Sequence, residues 1–244
     1  MVSVWGMTDK GIVRRENQDS CAYEIIEDSG LAWGVVCDGM GGAKAGDVAS
    51  KMAVETFCTH LEQLKDLEGP PPAEDLLLAA AEDANRVVYL KAVTDADCVG
   101  MGTTMVGLIL RGTALWVVNV GDSRAYHING QAIRRITRDH SVVEELVEKG
   151  DLTPEQARVH PQKNLITRAL GTSRRVKADL FAETVAEGDW LLLCSDGLIN
   201  EVTDQEIHQE ILAGGTPEEI CRRLVERTLA SGAPDNVTVV LFHL

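Results

Sequence analysis

The chain has 244 residues, 45% hydrophobic and 25% charged, enough for one sizeable domain with a real core. Its formal net charge of −15 excludes general nucleic-acid or anionic-membrane binding, which need a basic face, and suits the gathering of divalent cations. The six cysteines form no CxxC pair, and no run reads as a signal peptide or bilayer span, so the expectation is no zinc site, no membrane segment and a reducing, cytoplasmic setting.

Residues 31–37 (LAWGVVC) read as a buried strand ending at Asp38, with Gly39, Gly41 and Gly42 behind it. From Ala45 to Leu64 the residues Ala49, Met52, Ala53, Phe57, Leu61 and Leu64 recur at helical spacing. The stretch EGPPPAED breaks that helix at Gly69 and Pro70 to Pro72. A second helix is predicted from Pro72 to Ala92, with Leu76, Ala80, Ala84, Val87 and Lys91 on one face. The period then changes: TTMVGLIL, ALWVVNV, RAYHI and QAIRRI are short β-type runs. Arg111-Gly112-Thr113 and Asn129-Gly130 separate them, the Asn-Gly pair predicting a two-residue hairpin. Residues 138–170 are polar and helix-prone, an insertion expected to run over the surface of the sheet. Strands resume at ADLFAETV and DWLLLCS, helices follow over 203–213 and 217–230, and NVTVVLFHL is the last strand. This order predicts one α+β domain over 1–244, two stacked sheets covered by helices, without the βαβ alternation of a doubly wound sheet.

Four aspartates share one grammar, each at a turn beside an apolar run: Asp38 in VVCDGMGG, Asp122 in VNVGDSRAY, Asp196 in LLLCSDGL and Asp235 in GAPDNVTVV. Any one of them reads equally well as a turn residue bonding its own backbone. Together, on neighbouring strands, they would converge at one edge of the sheets and repel one another unless a cation sat between them. Oxygen ligands without His or Cys suit Mg²⁺ or Mn²⁺. Arg14 and Arg15 precede Asp19 in GIVRRENQDS, and a guanidinium there can fork onto phosphate or pair with Glu16 or Asp19. If that segment is extended, alternation lets only one of the two arginines face the site. The six histidines, His60, His127, His140, His160, His208 and His243, form no spaced pair and read as surface or turn residues. Cys37 and Cys194 sit in apolar runs and read as core.

Taken in order, GIVRRENQDS, CDGMGG, GMGTT, VGDSRAY, SDGL and APDNVTVV resemble the metal-dependent, type 2C serine/threonine protein phosphatase family in its compact bacterial-type form, over nearly the whole chain. The resemblance implies two central antiparallel sheets between helix pairs, and a catalytic centre of two tightly bound Mn²⁺ or Mg²⁺ ions plus a weaker third. It implies that Asp38 bridges both ions, that Gly39 ligates through its carbonyl, and that Asp196 and Asp235 complete the set. Asp122 would join Asp196 on the third ion. Arg14 matches the phosphate-binding arginine, Asp19 and Asn236 stand as supporting residues around the centre, and 138–170 matches a flap. Three positions depart from patterns found in some members: Met40 replaces a histidine proposed as general acid, Asn200 an aspartate, and Gln18 a glutamate. The implied reaction is hydrolysis of phosphoserine and phosphothreonine by a water activated at the binuclear centre, without a phosphoenzyme. The implied partners are phosphoproteins, among them a cognate kinase or its substrates, met by a monomer. A small-molecule phosphatase or phosphodiesterase would need a deep closed pocket, and a non-catalytic relative would lack one of the four aspartates.

Overall fold

Alternation along the strands sorts the apolar residues into two layers. In Leu31–Met40, Trp33, Val35 and Cys37 join one buried cluster, while Ala32 and Val36 join another on the opposite face. In Trp190–Cys194, Leu191 and Leu193 point one way and Leu192 and Cys194 the other. A sheet buried on both faces must be covered twice, here by the second sheet and by helices. The structure, a computed structural model, describes residues 1–26, 29–65 and 72–244, without the side chains of 42–44. Of the helix break expected at Gly69 and Pro70 to Pro72, all but Pro72 lies outside the described residues.

In chain order the strands are β1 (Ser3–Asp9), β2 (Asp19–Ile26), β3 (Leu31–Met40), β4 (Gly102–Thr103), β5 (Met105–Arg111), β6 (Ala114–Val120), β7 (Arg124–Ile128), β8 (Ile133–Arg135), β9 (Asp179–Thr184), β10 (Trp190–Cys194) and β11 (Val237–His243). The helices are α1 (Gly42–Glu62), α2 (Ala73–Thr94), α3 (Val142–Glu148), α4 (Pro154–Arg158), α5 (Asp196–Glu201), α6 (Asp204–Leu212) and α7 (Pro217–Ala230). One sheet runs β1-β11-β10-β7-β8, the other β2-β3-β5-β6-β9 with β4 against β3. Every strand pairing in both is antiparallel. Between the sheets lie Val36, Leu108, Val117, Leu193, Val240 and Phe242. Helices α1 and α2 cover one outer face through Ala49, Phe57, Leu61, Leu77 and Ala84. Helices α5, α6 and α7 cover the other through Leu198, Ile207, Ile220 and Leu224. This is the expected sandwich of two antiparallel sheets between helices.

Several local expectations change. Strand β3 does not stop before Asp38. It continues to Met40, because Gly39 and Met40 pair with Thr103 and Gly102 of β4. The buried face of α2 is Leu76, Leu77, Ala80, Ala81, Ala84 and Val88; Lys91 instead pairs with Asp95 at 2.6 Å, on the solvent side. The loop between β7 and β8 is four residues long, since Ile128 pairs with Ile133. Asn129 Oδ1 accepts from the Gln131 and Ala132 amides at 2.9 and 3.0 Å, an Asx turn that replaces the two-residue hairpin. Helix α5, only six residues long, is too short to show a periodic pattern. The 138–170 insertion carries α3 and α4 and is closed at its neck by bridges from Ser141 to Ile166 and from Thr103 to Leu170. It lies beside the strand ends, where Arg158 donates to the Ile199 carbonyl at 3.1 Å. No helix among the described residues is long and apolar enough to cross a membrane.

Candidate metal centre

Where β3 continues past Asp38, the edge of the sandwich opens into a cleft of about 590 Å³. Its wall includes Asp38, Asp122, Asp196 and Asp235, with Arg14, Gly39, Met40, Thr104 and Asn236. Each carboxylate arrives on a different element: Asp38 from within β3, Asp122 from the turn after β6, Asp196 from the first residue of α5 and Asp235 from the turn before β11. No histidine or cysteine among the described residues lines the cleft. Its rim is open, with Arg14, Arg15 and Glu16 exposed, which fits a protein surface better than a closed small-molecule pocket.

Asp38 is held by its backbone. Its amide donates to Thr104 Oγ1 at 2.9 Å, and its carbonyl accepts from the Thr104 amide at 2.8 Å and Thr103 Oγ1 at 2.9 Å. The carboxylate is thereby left to the cleft. Gly39 permits the close approach behind it, because a Cβ there would sit 2.0 Å from the Gly46 carbonyl oxygen. Asp19 pairs across the ladder with Asp38 and lies behind the cleft wall. Its Oδ2 accepts from Ser195 Oγ and Thr238 Oγ1, each at 2.7 Å, while its Oδ1 is buried without a partner. Asn236 staples the Arg14 loop to the start of β11. Its Nδ2 donates to the Lys10 and Glu16 carbonyls at 2.9 and 3.0 Å, and its Oδ1 accepts from the Gln18 amide at 2.9 Å.

The electrostatics show what the residues lack. Burial, then the charges of Asp19, Asp196, Asp122 and Asp235, push the Asp38 carboxyl well above the usual range. Burial and then Asp196 and Asp139 do the same to Asp122. Burial and then Asp235 raise Asp196. Burial lifts Asp19 to about 7. Asp196 Oδ1 is a second buried oxygen without a partner. The carboxylates share the cleft without closing to ligating geometry among the described residues. Asp235 is turned instead to Arg14, whose Nη2 reaches its Oδ2 at 2.6 Å. Crowded all-oxygen donors, with the buried Oδ1 atoms of Asp19 and Asp196 unpartnered, fit a hard divalent cation.

Arg14 thus pairs with Asp235 rather than with Glu16 or Asp19. The alternation argument for the arginine pair fails, because residues 11–18 form no strand and Arg15 also lies on the rim. Arg14→Ala should still lower kcat/KM on a phosphothreonine peptide by ~10–100-fold, the worth of a charge-assisted fork. Arg15→Ala, with no carboxylate of the cleft as partner, should cost less than about threefold. Steady-state kinetics on both variants decides; the reverse ranking would make Arg15 the anchor.

Sequence reasoning missed Thr104, Ser123, Ser195 and Thr238, hydroxyls whose partners lie far along the chain, such as Thr104 Oγ1 at 2.7 Å from Ser123 Oγ. It also misplaced histidines. His140 is buried, and His127 and His60 contact Asp189 and Asp83 at 2.7 and 3.0 Å. Asn200 donates to Asp196 Oδ2 at 3.0 Å and accepts from Lys163 of the insertion at 3.2 Å. Cys37 and Cys194 are fully buried, and burial pushes both thiols up, as core residues require.

Comparison with known proteins gives a consistent result. The family model for "Protein phosphatase 2C" matches residues 13–217. The serine/threonine phosphatase stp of Listeria monocytogenes is 36% identical over 235 residues, covering 96% of this chain and 92% of that protein. The serine/threonine protein phosphatase PstP of Mycobacterium tuberculosis is 38% identical over 237 residues, 96% of this chain but 43% of that protein. The crystal structure of the serine/threonine phosphatase Stp1 from Staphylococcus aureus superposes with a TM-score of 0.92 at 38% identity, covering 100% of this chain and 95% of that one. The catalytic domain of PstP in complex with two manganese ions superposes at 0.84 and 35% identity, covering 99% and 97%.

Proposed function

Since the chain belongs to the protein phosphatase 2C family of metal-dependent serine/threonine protein phosphatases, we propose that its reaction runs in the cleft of Asp38, Asp122, Asp196 and Asp235. The observation that carries this reading is the convergence of four carboxylates, three of them pushed up by burial and by one another, beside the Arg14 guanidinium. We assign Asp38, the Gly39 carbonyl, Asp196 and Asp235 to two Mn²⁺ or Mg²⁺ ions, and Asp122 with Asp196 to a weaker third. Bound there, the ions would polarise the phosphoryl group and lower the pKa of the attacking water.

The chain's own residues do the rest. Arg14 exchanges the Asp235 carboxylate for phosphoryl oxygens and so orients the substrate as it neutralises charge. Asp19, fixed at one oxygen by Ser195 and Thr238, keeps the other for a water or a proton. Asn236 holds the Arg14 loop in place. Met40 has no proton to give, so the leaving serine or threonine oxygen takes its proton from water in the open cleft or from a carboxyl group. Residues 1–244 act as one catalytic unit, with 138–170 as the flap. The substrates are phosphoproteins, a cognate kinase or its targets among them. The enzyme is a cytoplasmic monomer, in keeping with six free thiols and no membrane-crossing helix among the described residues.

The test separates the four aspartates. Asp122→Ala should keep two tightly bound ions by plasma emission while turnover of a phosphothreonine peptide falls about 10-fold. A variant that loses the two tight ions would make Asp122 a core ligand. Hydrolysis of a phosphodiester in place of the peptide would move the whole reading to another substrate class.

A further inference from the structure

The ring of His140, 5% exposed, sits where the insertion leaves the sheet. Its Nδ1 accepts from the Gly121 amide at 3.0 Å. An amide has only a proton to offer, so Nδ1 is bare and the neutral ring carries its proton on Nε2. Nε2 faces Asp179 Oδ2 at 3.2 Å. Arg168 Nη1 lies 2.8 Å from Nε2, but its two protons go to the other oxygen of that carboxylate and to the Lys177 carbonyl, each at 2.8 Å, so it leaves the Nε2 proton to Asp179. Burial, opposed by Asp179 and helped by Arg168 and Arg138, holds the ring below its ordinary value.

The backbone of the same residue ties three segments together. The His140 amide donates to the Gly121 carbonyl at 2.9 Å, and the Thr167 amide donates to the His140 carbonyl at 2.7 Å. Residue 140 therefore joins the outgoing and returning ends of the insertion to the turn that carries Asp122. Gly121 takes φ +110°, and a Cβ on it would lie 2.6 Å from Thr104 Cγ2. The Gly121–Asp122–Ser123 turn is thus clamped by Thr104 on one side and by His140 on the other. Before His140, Asp139 is forked by Arg124 of β7, with contacts of 2.7 to 3.1 Å.

We propose that His140 is a positioning residue for turnover, whose bare Nδ1 on the Gly121 amide sets the Asp122 carboxylate and the neck of the flap together. The inference rests on the phosphatase reading of the cleft, but its first test does not. In the metal-free protein, ¹⁵N shifts of the His140 ring should show the proton on Nε2, and the Gly121 amide should exchange slowly. A proton on Nδ1 would overturn the proposal.

Two variants then divide the ring. His140→Asn keeps an acceptor near the Nδ1 position, whereas His140→Gln places its amide nearer Nε2. In protein that melts cooperatively and keeps two tight ions, Asn should hold kcat on the phosphothreonine peptide within roughly threefold of wild type. Gln should lose ~10-fold in kcat with little change in KM, and residues 142–166 should exchange their amides faster. Equal losses, no loss in either, or rescue by Gln alone would reduce His140 to filling space. Should neither variant fold, the tautomer and the Gly121 exchange rate decide. Wild-type protein without peptide hydrolysis would sink the reading of the cleft and leave the ring result standing.

Discussion

Asp38→Asn is expected to abolish turnover and, in chelator at pH 7–8, to raise the melting temperature. The two effects have one cause. Asp38 is half-buried in a crowd of like charges, and its folded-state pKa stands well above the unfolded value. A group of that kind contributes stability that is fully present below its unfolded pKa and is lost as pH rises through the folded one. Above that range the metal-free protein holds an ionised carboxylate against its neighbours. Asparagine keeps the shape and removes the charge. Each unit of raised pKa is worth about 1.36 kcal/mol, and 1 kcal/mol shifts a domain of this size by about 2–4 °C. A gain of several degrees follows, shrinking as the pH is lowered toward the carboxylate range. Peptide hydrolysis should fall at least ~10³-fold, because the carboxylate we assign to both ions would be gone. Calorimetry at three pH values with parallel kinetics checks both. A variant that melts lower at pH 8, or keeps a tenth of its activity, would show that Asp38 is an ordinary turn carboxylate.

Exhaustive chelation should bring the wild-type enzyme to background on the same peptide, and Mn²⁺ should restore it. Stability should follow the same course. Ions that bind only the folded state stabilise it by about 2.7 kcal/mol at a hundredfold excess over Kd, or about 5–10 °C here. The pH profile gives a second reading. Without ions the melting temperature should fall between pH 5 and 8, as Asp19, Asp38, Asp122 and Asp196, all raised in the fold, are forced to ionise. With Mn²⁺ the cluster is neutralised and the fall should flatten. Activity that survives chelation, or a melting curve indifferent to Mn²⁺, would remove the metal from the mechanism.

The aspartates were legible because each sits in a local pattern, an apolar strand run beside a glycine turn, that survives in a linear reading. So were the two-sheet sandwich and the long helices, whose periods of two and about 3.6 repeat often enough to be seen. The supporting hydroxyls were not, since Ser195 and Thr238 reach Asp19 from 176 and 219 residues away. Helix α5 hid in a segment too short for any period, although it carries Asp196.

By itself, then, the sequence determined the layer pattern, the four aspartates, the arginine pair and, through its motifs, the family. Those features depend on residue type and near neighbours, which a chain carries whether folded or not. Only the tertiary structure decided that Arg14 pairs with Asp235 across 221 residues, that β3 runs on through Asp38 to Met40, and that His140 is buried at the neck of the 138–170 insertion. These depend on which backbones the sheets bring within hydrogen-bond distance and on what burial does to charge, and neither is written in the order of residues along one strand.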